Sequence, residues 1–214
     1  MPETLLTEKS EFFKAARRND WQEASGRIIK IPEVDVGSFK AYVHWIYKEE
    51  VAVSSQHAIG SGPYTTAEVQ PILYELVQLW LLADRLADIQ LRHLATNAIL
   101  RFTGRIAVHN QDWTEAITPE ITVLLWSRTT SGRAVRHLFV DLYTQCVKAE
   151  CLERVKDELH PEFFKDLMMK VFRMKDEKAQ MNIFRRGVCD YHEHDNHEDP
   201  RCELFASTEL RDKF

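Results

Sequence analysis

Cysteine is scarce in this chain, four among 214 residues, and that scarcity excludes a small disulfide-stapled scaffold. In a reducing compartment the four would be free thiols or metal ligands. Basic residues are in deficit, 28 Lys and Arg against 33 Asp and Glu for a formal charge of -5. That balance argues against a general nucleic-acid binder, which needs a positive surface. No apolar run approaches the roughly 18 residues of a membrane span. The N-terminus lacks the basic, apolar and small-residue order of a secretory signal. The expectation is an intracellular protein, cytoplasmic or nuclear, without a membrane partner. Gly60-Ser61-Gly62 lacks the lysine and the strand-to-helix setting of a phosphate loop. No Ser/His/Asp or Cys/His arrangement can be assembled with specificity, so the chain reads as a non-enzyme.

Apolar side chains are plentiful, at 44%, enough for a real core in one large domain or two small ones. The most informative stretch is Ser10 to Tyr47. Leu5, Phe12, Phe13 and Ala16 lie on one side of a 3.6-residue period and predict a helix over 5–16. Asn19-Asp20 interrupts it. Arg27-Ile28-Ile29-Lys30-Ile31 then alternates polar and β-branched residues up to Pro32, which predicts a short strand. Asp35 is a good N-cap for a helix whose stripe is Phe39, Tyr42, Val43 and Ile46. The order is helix, strand, helix.

These residues resemble the central part of the BTB/POZ fold, in the form common in fungi. The matches are the S-x-F-F-K-A-A run from Ser10, the W-Q-E-A from Trp21, the I-x-I-P-E-V-D exit from Ile29 to Asp35, and F-x-x-Y-V-x-W-I-Y from Phe39 to Tyr47. The likeness continues through Leu79 to Leu86, similar to the family's L-x-x-x-A-D-x-L helix, and through Leu91 to Ala98. It covers about the first half of the chain. The resemblance implies a BTB/POZ-like core over residues 1–108 with a small incomplete sheet; together with a helical C-terminal extension over 109–214, read from its own apolar stripes below, the expected fold class is α+β, mostly helical. Family members begin with a β-hairpin, whereas here Met1 to Thr4 stand directly before Leu5-Leu6. The strand at 27–31 is therefore expected to lack part of its sheet. The function implied is protein–protein interaction, an adaptor or self-associating scaffold, with the chain itself or a cullin-type ligase scaffold as partner.

Further along, Ser54 to Thr66 reads as a loop, and Val51-Ala52-Val53 before it is strand-like. Thr65 and Glu68 have capping-box spacing. The helix after them carries apolar residues almost all round from Ile72 to Leu86, as a central buried helix does. Leu91 to Phe102 form a narrower stripe, with Gly104 as the expected end signal. Asp112 with Glu115 offers one cap, and Thr118-Pro119-Glu120 offers a stronger one for a helix to about Trp126. Ser131-Gly132 precedes a helix with Val135, Leu138, Phe139, Leu142, Tyr143 and Cys146 on one face. His160-Pro161-Glu162 introduces another, with Phe164, Leu167, Met168, Val171 and Phe172 at helical spacing. Without a Pro- or Gly-rich linker after Gly104, one continuous body is expected rather than two freely moving domains.

One segment has ligand chemistry. Cys189 to Cys202 holds two thiols and three imidazoles. Cys189, His192, His194 and Cys202 could complete the tetrahedral nitrogen–sulfur set that structural zinc prefers, and four protein ligands would leave no position for a substrate. Glu193, Asp195, Glu198 and Asp199 make the same segment read as a solvated acidic tail. A zinc-stabilised regulatory protein whose Cys/His loop contacts a partner or nucleic acid is thus the alternative function. The pairs Arg17-Arg18 and Arg185-Arg186 read as solvated charge. The five tryptophans read as core or core edge, Asp84-Arg85 as a polar pair at a helix end, and Cys146 and Cys151 as buried thiols.

Overall fold

The computed structural model describes residues 3–18, 29–52, 66–108, 117–177 and 188–193. Within them the chain is mostly helical. The helices are α1 (Glu3–Lys9), α2 (Glu11–Arg18), α3 (Val36–Lys48), α4 (Thr66–Arg85), α5 (Ile89–Val108), α6 (Pro119–Arg128), α7 (Ala134–Cys146), α8 (Ala149–Val155) and α9 (Pro161–Glu177), followed by a 3₁₀ turn at Val188–Tyr191.

The first expected helix is two, because Ser10 breaks it. The Ser10 hydroxyl donates to the Leu86 carbonyl at 2.6 Å and accepts the Phe13 N–H at 3.2 Å. Ser10 thus starts α2 while tying it to the end of α4. Asp35 caps α3 as expected, its Oδ1 accepting the Ser38 N–H at 2.8 Å. The α3 helix ends at Glu49, whose left-handed backbone lets its N–H reach the Trp45 carbonyl at 2.8 Å.

The expected sheet is absent among the described residues. Ile29, Lys30 and Ile31 have no strand pairing, nor do Val51 and Ala52. Residues 27, 28 and 53, and the caps expected at Thr65 and Asp112, lie outside the described residues. A β-branched run forms a strand only beside a hydrogen-bonding neighbour. Ile31 instead packs its side chain against the α3/α4 core.

Two packed clusters share α4. On one side Phe13 of α2, Tyr42, Trp45 and Ile46 of α3, and Leu91 of α5 close on Leu79, Leu82, Ala83 and Leu86. On the other, Leu73, Val77 and Trp80 meet Ile99 of α5, Leu125 of α6, Phe139 of α7 and Phe163 of α9. Full burial of one such aliphatic or aromatic side chain contributes about 1.5–3 kcal/mol. The turn from α4 to α5 is tight, with Ala87 held at φ +50°, a left-handed conformation that costs a Cβ-bearing residue about 1 kcal/mol. The payoff is Asp88, whose Oδ1 accepts the Leu91 N–H at 2.9 Å and caps α5.

Several helices differ from expectation in extent or phase. The α5 helix continues through buried Gly104 to Val108, because Ile106 extends its apolar stripe. Thr118 and Pro119 start α6 as expected, but α6 continues to Arg128. Gly132, at φ +87°, makes the turn into α7, and Val135, Leu138, Phe139, Leu142 and Tyr143 are all buried. The α8 helix has no counterpart among the expected elements. On α9 the buried side chains are Phe163 and Leu167, whereas Val171 is 42% and Phe172 60% exposed. Its core face is rotated from the expected stripe because Phe163 makes edge-on contacts with Trp126 and Tyr143, at 4.8 and 5.1 Å between ring centres.

Candidate functional site

The 3₁₀ turn and the two residues after it bring one of the sequence's candidate ligands, His192, against the helical body. Tyr191 and His192 are buried. The Tyr191 hydroxyl donates to Asp141 Oδ2 of α7 at 3.0 Å. Lys170 of α9 holds the other oxygen of Asp141 at 2.7 Å. His192 stacks on His93 of α5 with ring centres 4.4 Å apart, and its Nε2 lies 2.9 Å from Asn97 Oδ1. Because that Asn oxygen can only accept, Nε2 carries the proton in this contact. The next side chain, Glu193, inserts between two arginines. Its Oε2 accepts from Arg92 at 2.7 Å and from Arg133 at 2.5 Å, and its Oε1 accepts the Ala134 N–H at 3.2 Å. Ala134 is the first residue of α7, where unpaired N–H groups and the helix dipole favour an anion.

Of the four candidate zinc ligands, Cys189 is exposed and His192 is buried with Nε2 engaged by Asn97. His194 and Cys202 lie outside the described residues. Among the described residues no group of three or more His, Cys, Asp or Glu side chains could hold a metal ion. Sequence reasoning passed over Arg92, Arg133 and Asn97. No local signal marks them, since each is an ordinary polar residue on a helix or at its end.

A groove of about 360 Å³ opens between the start of α3, the end of α4 and α6, lined by Asp35, Ser38, Gln78, Asp84, Arg85 and Arg128 among others. Its charged groups serve the fold. Asp35 caps α3, and Arg85 and Arg128 donate to the carbonyls of Pro32 and Glu33 at 2.5 and 3.4 Å. Burial acts to raise the Asp35 pKa, but hydrogen bonds from the Ser38 side chain and the Ser38 and Gly37 N–H groups outweigh it and hold the carboxyl below its ordinary value. Asp84 and Arg85, at the end of α4, find separate partners. Asp84 Oδ1 pairs with Arg92 at 2.8 Å and Arg133 at 3.3 Å.

Another buried polar centre joins α3 to α5. Trp45 Nε1 donates to Asp88 Oδ2 at 3.0 Å, and the Lys9 ammonium sits 5.1 Å from the centre of the Trp45 ring. Burial raises the Asp88 pKa, with hydrogen bonds from the Leu91 N–H and Trp45 opposing it. Trp80 likewise finds Thr96 Oγ1 at 3.1 Å, and Trp126 finds Asp166 at 3.0 Å. All three of these tryptophans are buried, as the sequence suggested, while Trp21 and Trp113 lie outside the described residues. No helix among the described residues is long and apolar enough to cross a membrane. Comparisons with protein-family models, curated proteins and solved structures find no match to this chain.

Proposed function

We propose that this chain is a non-enzymatic protein–protein interaction module of the BTB/POZ type, acting as an adaptor or self-associating scaffold. One observation carries the reading. Residues from four of the stretches that resemble the family meet in one buried cluster: Phe13 from the first, Tyr42, Trp45 and Ile46 from the next, Leu79, Leu82, Ala83 and Leu86 from the third, and Leu91 from the last. Four separate stretches are thus one packing unit, as the core positions of a single module are. The polar groups around it also favour a binding role. Asp88, Trp45, Ser10 and Asp35 are spent on caps and helix ties. The partner in this reading is a protein, either a second copy of the chain or a cullin-type ligase scaffold.

The test is light scattering of the full chain over a concentration series, joined to capture of purified cullin scaffold. The expected result is a mass of twice the 25.1 kDa chain, or retention of the scaffold. A chain that stays at 25.1 kDa throughout and retains no scaffold overturns the reading.

A further inference from the structure

We infer that the outward face of α9 pairs antiparallel with the same face of a second copy of this chain. This inference rests on the self-associating form of the proposed function and names its surface.

The inner face of α9 is already satisfied. Phe163 and Leu167 enter the core, Asp166 accepts the Trp126 indole N–H at 3.0 Å, and Lys170 pairs with Asp141 at 2.7 Å. The outer face is different. Of the nine large apolar side chains exposed among the described residues, three fall within four positions of α9: Met169, 48% exposed, with Val171 and Phe172. The other six are spread from Ile29 to Val123. A cluster of this kind marks a contact surface, where single exposed residues do not.

The spacing on that face is the one by which two helices pack on each other. Pro161, Lys165, Met168 and Phe172 recur at intervals of four, three and four residues, which keeps them on one stripe, as in a coiled-coil seam. Glu162, Met169 and Arg173 follow along one flank of the stripe, at intervals of seven and four.

The charges on the face select its partner and direction. In a parallel pair Lys165 would meet Lys165 and Arg173 would meet Arg173. About a twofold axis at Met168 the two copies run antiparallel and each flank faces itself. Glu162 lies about 9 Å before Met168 along the helix and Arg173 about 7.5 Å beyond it, at the rise of about 1.5 Å per residue. Each carboxylate is therefore level with the guanidinium of the other copy. Lys165, about 4.5 Å before Met168, likewise comes level with the other copy's Phe172 ring, about 6 Å beyond it, where an ammonium and an aromatic face attract. Arg136 already holds Glu162 at 3.1 Å, while 64% of the Glu162 side chain stays exposed. The face is thus complementary to itself, with an ion pair and a ring contact at each end of a methionine centre.

The experiment follows the full chain by sedimentation velocity over a concentration series, with folding checked by circular dichroism. The wild type should pass from 25.1 kDa to twice that mass. Phe172→Asp should raise the dimer dissociation constant at least about tenfold, as loss of an aromatic anchor does. Glu162→Arg and Arg173→Glu should each raise it about threefold. Combined, they should restore most of the affinity, because each new charge then meets its opposite. Failure of that restoration overturns the inference. A dimer that Phe172→Asp leaves intact also overturns it, while self-association itself stands. A wild type that stays at 25.1 kDa overturns it too and leaves the face to a different partner, and capture of the cullin scaffold then decides separately whether the proposed function survives. Should Phe172→Asp fail to fold, hydrogen exchange on the wild type takes its place. Protection of residues 161–175 must rise with chain concentration, and equal protection in dilute and concentrated samples overturns the inference.

Discussion

Asp88 ties Trp45 to the start of α5: its Oδ2 accepts the indole N–H at 3.0 Å while its Oδ1 accepts the Leu91 N–H at 2.9 Å. One carboxylate thus satisfies a buried ring on α3, 43 residues back along the chain, and caps the helix that follows it. Asp88→Ala should cost about 2–4 kcal/mol, the sum of an orphaned buried donor and a lost cap, read as a lower urea midpoint with an unchanged slope. Burial raises the folded-state pKa of Asp88 above 3.8. Its contribution is therefore fully present below pH 3.8 and is lost as pH rises through the folded value. Asp88→Asn does not titrate. The stability of the wild type relative to Asp88→Asn should be greatest in acid and fall as pH rises above 3.8, and a pH-independent difference would contradict the assignment.

Asp35 titrates with the opposite sign. Its folded pKa lies below 3.8, so its contribution is present above that pH and disappears as pH falls through the folded value. Asp35→Ala should cost about 0.5–2 kcal/mol at neutral pH as a lost N-cap. The gap between variant and wild type should close in acid when unfolding is measured across a pH series. A gap that persists at pH 2 assigns the loss to packing instead.

Arg136 on α7 is buried and serves four oxygens: Thr129 Oγ1 at 2.9 Å, the Trp126 carbonyl at 2.8 Å, the Thr129 carbonyl, and Glu162 at 3.1 Å. Its guanidinium also lies over the Trp126 ring, 5.2 Å from the centre. Arg136→Ala should cost about 3–5 kcal/mol, and Arg136→Lys should recover only part of it, since an ammonium cannot reproduce the planar fork. Glu162→Ala should stay under about 1 kcal/mol because that carboxylate is largely exposed. Urea melts of the three variants rank them. Equal losses for Arg136→Ala and Glu162→Ala would show that the ion pair, and not the carbonyl contacts, carries the effect.

Tyr143 faces Phe163 inside the bundle, and its pKa is pushed up to about 12, first by burial and then by the nearby Cys151. The contribution of its neutral form is complete below the ordinary value of 10.0 and is lost as pH rises through about 12. Tyr143→Phe keeps the ring and removes the titrating group. Its stability should fall less steeply than that of the wild type between pH 10 and 12 when followed by circular dichroism. Parallel curves would remove Tyr143 from the alkaline transition.

The sequence was most legible where a helix is made by its own neighbours. Asp35 before α3, Thr118-Pro119 before α6 and the turn at Gly132 before α7 all mark real starts. Asp35 acts through a side-chain cap within three residues of itself and the other two through backbone conformation, since Pro119 presets a helical φ and Gly132 takes a positive one. The wide apolar surface of α4 announced a helix buried on two sides. Phase was harder to read. On α9 the run Phe163-Phe164 offers two adjacent faces, and only the rings of Trp126 and Tyr143 select Phe163. Ser10 looks neutral inside an apolar stripe, and it breaks the helix because the carbonyl of Leu86, 76 residues away, needs a donor.

Local pattern alone marked most of the helices and their main starts, and the burial of Trp45, Trp80 and Trp126, since backbone ladders and caps are formed within a turn or two of each residue. Residues 29–31 stayed irregular although their side chains suit a strand, because a strand exists only with a partner beside it. His192 has the chemistry of a metal ligand in one dimension, while in three its Nε2 meets Asn97, 95 residues distant. Folding determined those partners, because a polar atom's role follows from whichever donor or acceptor packing brings within about 3 Å.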